Sequence, residues 1–431
     1  MTDWLIKRQK NIAHSLKAME TVKDLTVFLN QMQRWEQEAH PSWVHPRKPI
    51  TSQALTFYLY YQKKAYFSFQ IPKKSGGVRS IEAPDPFLKE VQQLIYQALS
   101  CVYQPPLSAK GFVAGRTIRD NAVPHAGKRY VLNLDIQDFF PSISFFRVRA
   151  VLHKVLLPGL HPDVADWLAR LCCHKGSLPQ GAPTSPILSN IVCMRLDRTL
   201  YYLSRNLGVS YSRYADDITF SSNEDLFGDD FMEKISTILR EEGFEINQKK
   251  VRLQRNGVPE GGKIIRERQE VTGVVVNARP TVPREYIRNL RALLHNWETK
   301  GYEHTAARFE WLYQREKGYA RAKGALPNLE RFVSGKIEYL GMIRGKEDPY
   351  YQVFKLQFDS LCLDTWTESV TEQEPVSRSN QLPAANGAES KPIPVPALFL
   401  QQTLQIWESK GIKKAMDYFY NLRHLQTEQK E

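Results

Sequence analysis

The sequence predicts an α+β chain with a sheet-bearing part followed by a helical C-terminal part. Three observations carry this. Between 130 and 280, strand-like segments (Tyr130-Val-Leu-Asn-Leu-Asp135, Tyr211-Ser-Arg-Tyr214, Ile218-Thr-Phe-Ser-Ser222) alternate with runs of helical spacing. From about 284 helical spacing takes over, and Ile287, Leu290, Leu294 and Trp297 line one face. The 431 residues are 42% hydrophobic, enough for a substantial core divided among two or three domains.

The elements follow in order. Residues 1–50 read as a polar helical extension ending near Pro41 and Pro46. From 51 to 129 helix and hairpin patterns alternate, with a tight turn at Gly76-Gly77. From 130 to 280 the order is strand, helix, helix, hairpin, helix, strand. Within it, Ser185-Pro186 opens a long apolar helix, proline suiting the first helical position. Phe231, Ile235, Ile238 and Leu239 mark another, stopped at Gly243. The helix of the 287–297 stripe ends at Gly301, and helical patterning continues to 362, with Trp297 and Trp311 read as core. Residues 363–396 are polar and punctuated by Pro375, Pro383, Pro392, Pro394 and Pro396, which reads as a flexible linker. Residues 397–431 are amphipathic again.

Composition narrows the function classes. A net charge of +13 suits a polyanionic partner. The five cysteines (Cys101, Cys172, Cys173, Cys193, Cys362) lack C-x-x-C spacing, which argues against a disulfide scaffold or zinc site and fits a reducing cytoplasm. No apolar run of about 18 residues occurs, so neither a signal peptide nor a membrane span is expected.

The most informative run is Tyr211-Ser-Arg-Tyr-Ala-Asp-Asp-Ile-Thr-Phe-Ser-Ser222. Two strand-like segments meet at Asp216-Asp217, so the acidic pair sits at the tip of a tight hairpin. Adjacent like charges on a turn persist where a cation neutralises them, and carboxylate oxygens suit Mg²⁺. Upstream, Tyr130-Val-Leu-Asn-Leu-Asp-Ile-Gln-Asp-Phe-Phe140 ends an apolar strand on Asp135. Three carboxylates on two neighbouring strands are what two-metal phosphoryl transfer needs.

These runs, in this order with others, resemble reverse transcriptases, more narrowly the bacterial retron type. The resemblance covers roughly 50–360. Ile71-Pro-Lys-Lys-Ser-Gly-Gly-Val-Arg-Ser-Ile-Glu-Ala-Pro84 is similar to the family's fingertip hairpin. Lys110-Gly-Phe-Val-Ala-Gly-Arg-Thr-Ile118, Leu178-Pro-Gln-Gly-Ala-Pro-Thr-Ser-Pro-Ile-Leu-Ser-Asn190 and Glu242-Gly-Phe-Glu-Ile-Asn-Gln-Lys-Lys250 resemble later blocks. Asn121-Ala-Val-Pro-His125 and Val271-Thr-Gly273 resemble the two signatures of the retron type.

The resemblance implies a right-hand polymerase fold: fingers over 51–129, a palm over 130–280 with part of the fingers interleaved near 160–185, and a helical thumb over 281–362. It implies an RNA-directed DNA polymerase with two Mg²⁺ ions per active site, held by Asp135, Asp216 and Asp217 with the Ile136 backbone carbonyl. Phe140 takes the steric-gate position that would favour dNTPs over rNTPs. Lys73 or Lys74 and Arg79 would fold over the triphosphate, and Gln180 would lie near the incoming nucleotide. Lys249 and Lys250 read as primer or nucleotide contacts, or equally as a solvated pair. Asn121 and His125 read as RNA contacts or as internal hydrogen-bonding groups. Tyr313 and Tyr319 could stack on RNA. A retron-type enzyme would prime from a 2′-OH of a structured non-coding RNA, make RNA-linked single-stranded DNA, and act with an effector protein in anti-phage defence. The alternatives are another bacterial reverse transcriptase (group II intron-like or defence-associated) or a catalytically silent RNA-binding scaffold.

One pattern lies outside the resemblance. Leu290-Arg-Ala-Leu-Leu-His-Asn-Trp-Glu-Thr-Lys-Gly301 aligns without gaps to Leu400-Gln-Gln-Thr-Leu-Gln-Ile-Trp-Glu-Ser-Lys-Gly411. The shared Trp-Glu-x-Lys-Gly favours a duplicated helical hairpin over convergence of two amphipathic helices, one that docks near the thumb or supplies a second RNA- or partner-binding element.

Overall fold

The computed structural model describes residues 11–39, 48–61, 65–72, 76–317 and 328–371, with side chains of 314–317 and 364–371 left aside. The chain divides into two units, Met1–Arg279 and Pro280–Glu431. Among the described residues no helix is long and apolar enough to cross a membrane.

After a helical segment over 11–17, the first unit continues with α1 (Val22–Ala39) and α2 (Ser52–Tyr60), packed together and, through α1, on α3 (Pro86–Val102). The polar reading of the N-terminal segment hides an apolar stripe. Leu25, Phe28, Leu29 and Met32 recur at helical spacing and are buried in the main core. Between α2 and α3 lies an antiparallel hairpin, β1 (Tyr66–Pro72) and β2 (Val78–Pro84). After it, α4 (Ile118–Ala122) begins with a capping box in which Thr117 and Asp120 exchange hydrogen bonds.

The centre of the unit is a five-stranded antiparallel sheet. Its strands are β3 (Tyr130–Asp135), β4 (Ser210–Tyr214), β5 (Asp217–Ser222), β6 (Arg252–Glu260) and β7 (Lys263–Arg266), in the order β4-β5-β3-β6-β7. β3 is central and buried on both faces, which is why Tyr-Val-Leu-Asn-Leu reads as an almost continuous apolar run. Between β3 and β4 come α5 (Phe145–Val151), α6 (Pro162–Cys172), α7 (Ser185–Val192) and α8 (Met194–Asn206). α6 packs on α3. The long apolar helix expected from Ser185 is broken at Cys193, where α7 ends and α8 begins. After β5, α9 (Asp229–Glu241) buries Phe231, Ile235 and Leu239, and Gly243 past its end has φ 67°. A small hairpin, β8 (Glu270–Val271) and β9 (Val274–Val275), closes the unit.

The second unit contains α10 (Arg284–Lys300), α11 (Tyr302–Lys317), α12 (Leu329–Arg344) and α13 (Pro349–Thr371). Leu290, Leu294 and Trp297 of α10 are buried with Val333, Ile337 and Leu340 of α12 and Phe354 of α13. Two sequence expectations change here. Trp311 is 56% exposed: α11 buries Thr305 and Phe309, and a residue two positions past Phe309 points away from that face. Also, α13 continues to Thr371, past the linker boundary set at 363. The repeated segment 397–431 lies outside the described residues.

Candidate active site

The acidic residues come together because of strand register. Asp135 is the last residue of β3 and Asp217 the first of β5, and the two are direct cross-strand partners. Asp216 sits one residue earlier, in the turn that links β4 to β5 across the pair Tyr214↔Asp217. Ala215, the other turn residue, has φ 59°, the left-handed conformation that tight hairpins need and that few non-glycine residues adopt. The Ile136 N–H donates to the Asp216 carbonyl at 3.0 Å, tying the turn to the end of β3. Ile136 itself is buried.

Like charge and burial dominate the electrostatics. Burial pushes the Asp216 carboxyl above its usual range; Asp135 pushes the same way, while Lys250 and Arg79 pull it back. Asp217 is pushed up to about 6, first by burial and then by Asp216 and Asp135. Asp135, only 7% exposed, is held by two neighbours on the turn after α9. Lys250 Nζ donates to its Oδ2 at 2.7 Å, and Asn247 Nδ2 to its Oδ1 at 3.3 Å. An ammonium therefore already rests on the central carboxylate, as expected of a site that attracts cations. Oxygen-only ligands with an excess of negative charge suit Mg²⁺, which takes one or two carboxylates and fills its other positions with water and phosphate. Among the described residues no three His, Cys, Asp or Glu side chains form a ready-made metal cage.

Two glycines bring other segments against this centre. A Cβ on Gly111 would lie 2.5 Å from Ala215 N and 2.9 Å from Tyr214 C, so only glycine lets the 108–111 loop touch the turn. That loop runs along β4: Arg213 N–H donates to Ser108 O at 2.9 Å and Lys110 N–H to Arg213 O at 2.7 Å. A Cβ on Gly181 would lie 2.8 Å from Glu82 O. There the Pro-Gln-Gly turn meets β2, and Glu82 N–H donates to Gln180 O at 2.7 Å. Gln180 is thus placed between the β1–β2 hairpin and α7. Arg79 lies on exposed β2, with its charge felt at Asp216. Phe140 is half-buried against Phe139 and Phe112, with Phe139 in the core. Lys73 and Tyr319 lie outside the described residues.

The remaining predicted contacts divide. Lys249 is exposed, whereas Lys250 binds Asp135. Tyr313 packs against Phe309 and Phe332 in the second unit. The RNA-contact reading of Asn121 and His125 is corrected, because both are 0% exposed. His125 lies 2.7 Å from Ser221 Oγ through Nδ1 and 2.7 Å from Ser212 Oγ through Nε2, stapling β4 to β5. Asn121 Nδ2 reaches Thr272 Oγ1 at 3.4 Å, so the two signature runs meet inside the unit. Sequence reasoning missed Gly111, Arg213 and Asp197; a strand arginine next to an acidic turn was the available signal.

The family model described as reverse transcriptase (RNA-dependent DNA polymerase) matches residues 71–343. The retron Mx65 reverse transcriptase of Myxococcus xanthus is 41% identical over 254 residues, covering 53% of this chain and 55% of that protein. The retron Mx162 reverse transcriptase of the same organism is 36% identical over 267 residues, covering 54% and 52%. The chain thus spans about half the length of these two relatives. The retron Ec86 reverse transcriptase of Escherichia coli is 31% identical over 251 residues, 57% of this chain and 74% of that protein. The α+β architecture is accordingly the right-hand polymerase fold, and the chain belongs to the reverse transcriptase family, in its bacterial retron-type branch.

Proposed function

We propose that this chain is an RNA-directed DNA polymerase that copies a structured non-coding RNA into single-stranded DNA linked to it. The observation that carries the reading is the register Asp135↔Asp217 with Asp216 at the adjoining turn. In this reading 51–129 are fingers, 130–280 palm and 281–362 thumb. Asp135 and Asp216 are the principal ligands for divalent cations, Mg²⁺ in the first instance, with Asp217 and the Ile136 carbonyl in support. Bound there, divalent cations would lower the pKa of an attacking hydroxyl and offset charge on the departing pyrophosphate.

The chain's own residues supply the rest. Arg79 donates to triphosphate oxygens, and its charge already reaches Asp216. Lys73 shares that role. Gln180 borders the base of the incoming nucleotide. Phe140, braced by Phe139 and Phe112, is the bulky ring that excludes a ribose 2′-OH. Lys249, exposed beside the site, meets primer phosphate. Priming from an RNA 2′-OH, action with an effector protein in anti-phage defence and residence in the cytoplasm are supported by the similarity to retron reverse transcriptases.

The test is to express the chain with its native flanking DNA, purify it and sequence the bound nucleic acid beside an Asp216→Ala/Asp217→Ala version. DNA joined to RNA, absent from the variant, is expected. Activity only on a supplied primer–template would keep the polymerase and drop the retron product. No incorporation at all would leave an RNA-binding scaffold.

A further inference from the structure

We propose that Arg213 is a positioning residue that holds the catalytic turn from behind and sets the aim of Asp216. This rests on the polymerase reading above and deepens it.

The Arg213 guanidinium and the Asp197 carboxylate are each 0% exposed. Arg213 grips Asp197 side-on, Nε to Oδ1 at 2.8 Å and Nη2 to Oδ2 at 2.6 Å. Two of its three other N–H groups reach the turn and its support. Nη1 donates to the Ala215 carbonyl at 3.0 Å and Nη2 to Asn190 Oδ1 at 3.1 Å. Asn190 in turn donates through Nδ2 to the Gly111 carbonyl at 2.9 Å, and Gly111 is the residue pressed against Ala215 N. Tyr211 Oη completes the set by donating to Asp197 Oδ1 at 2.8 Å. The circuit is closed: Arg213 to Asn190, Asn190 to Gly111, Gly111 to the turn, and the turn back to Arg213.

Stability alone does not account for this arrangement. A buried ion pair costs desolvation that an apolar pair of equal volume avoids. What an apolar pair cannot supply is a donor at the Ala215 carbonyl. That carbonyl belongs to the peptide plane entering Asp216, and the next plane is fixed by Ile136 N–H on the Asp216 carbonyl. Both planes flanking Asp216 are therefore anchored, and Ala215 is kept in its left-handed conformation by surroundings that over-determine it.

The experiment uses the full chain on an RNA template with a DNA primer. It measures single-nucleotide incorporation, melting temperature and the Mg²⁺ concentration for half-maximal rate. Arg213→Lys keeps a cation opposite Asp197 but loses the planar fork that also reaches Asn190 and Ala215. Arg213→Met/Asp197→Leu removes the pair without stranding a buried charge. We expect both variants to fold, the double variant melting several degrees below wild type because Tyr211 Oη, Asn190 Oδ1 and the Ala215 carbonyl lose their partners. In both, the rate at saturating dNTP should fall about 10- to 100-fold, while the apparent KM for dNTP stays within about threefold. The half-maximal Mg²⁺ concentration should rise severalfold. Wild-type rate and Mg²⁺ requirement in either folded variant would overturn the proposal. Failure of both to fold would overturn it too, by making the network a stability device. An inactive wild type would be a different failure, sinking the polymerase reading and this proposal with it.

Discussion

The chain contains two antiparallel hairpins that bear on the same site and are built in opposite ways. Every residue of β5 after Asp217 is buried. The β4–β5 hairpin is paired with β3, stapled by His125 and backed by Arg213. Among the described residues of the β1–β2 hairpin only Tyr66 and Pro84, at its base, are buried. There Tyr66 stacks on His174 and accepts a hydrogen bond from Gln92, and Glu82 pairs with Lys175. Beyond that base the ribbon is open to solvent. Carboxylates that bind cations must be aimed to within about 0.5 Å, which rigid, over-determined backbone provides. An element that folds over a nucleotide must be able to move, which asks for few buried contacts.

If that contrast is right, the largest effects belong to changes at the clamped hairpin. In Gly111→Ala the new Cβ meets backbone atoms of the turn, which cannot rotate away as a side chain would. We expect incorporation to fall about 100-fold and stability by about 2 kcal/mol. A rate near that of wild type would show that the turn tolerates displacement and would break the comparison.

His125→Phe removes the staple, strands the Ser221 hydroxyl and leaves Ser212 Oγ only the Asn121 carbonyl at 3.4 Å. A loss of about 2–4 kcal/mol in urea unfolding is expected, with affinity of the folded protein for RNA unchanged. The pH dependence carries a sign. Burial lowers the His125 pKa to about 3, so the folded state refuses a proton that the unfolded chain takes up near pH 6.5. His125 therefore leaves stability intact above pH 6.5 and erodes it as pH falls toward 3. The Phe variant should lack that part of the acid slope, and an unchanged slope would refute the assignment.

For the open hairpin the expectation reverses. Arg79→Ala should alter stability by less than about 0.5 kcal/mol and raise the KM for dNTP about tenfold. A large drop in melting temperature instead would mean that β1–β2 is part of the folded core.

The sequence disclosed what periodicity and burial express together. The apolar run into Asp135, the acidic hairpin tip and the α9 stripe were legible because one pattern dictates both conformation and environment. The bracing groups were not. Arg213 is a charged residue on an edge strand and reads as solvent-facing, but α8 covers the face it shares with Tyr211 and the 108–111 loop pairs along the edge of β4. Asn121 and His125 had chemistry that suited RNA or an interior equally, and only their zero exposure decides it. Lys249 and Lys250 are identical in type and adjacent in sequence, and the short helical turn over 248–250 gives only the second of them to Asp135.

The smallest expected effect tests whether the clamped hairpin holds its charges together against their repulsion. The Asp217 pKa is about 6, against an ordinary value of 3.8. A carboxyl raised in the folded state favours folding when protonated. Its contribution is fully present below pH 3.8 and is lost as pH rises through about 6. At pH 8, without divalent cations, Asp217→Asn should therefore be more stable than wild type. The gain is about 1 kcal/mol, because Asp217, though crowded by the turn and its acidic neighbours, keeps a solvent-accessible surface and screening discounts the shift. Below pH 4 the two proteins should unfold together. Adding Mg²⁺ should narrow the gap at pH 8, since a cation that binds the folded state stabilises the carboxylates the variant lacks. If the variant gains nothing at pH 8, solvent already screens the acidic cluster. The bracing by Gly111, His125 and Arg213 would then aim the carboxylates without having to restrain them.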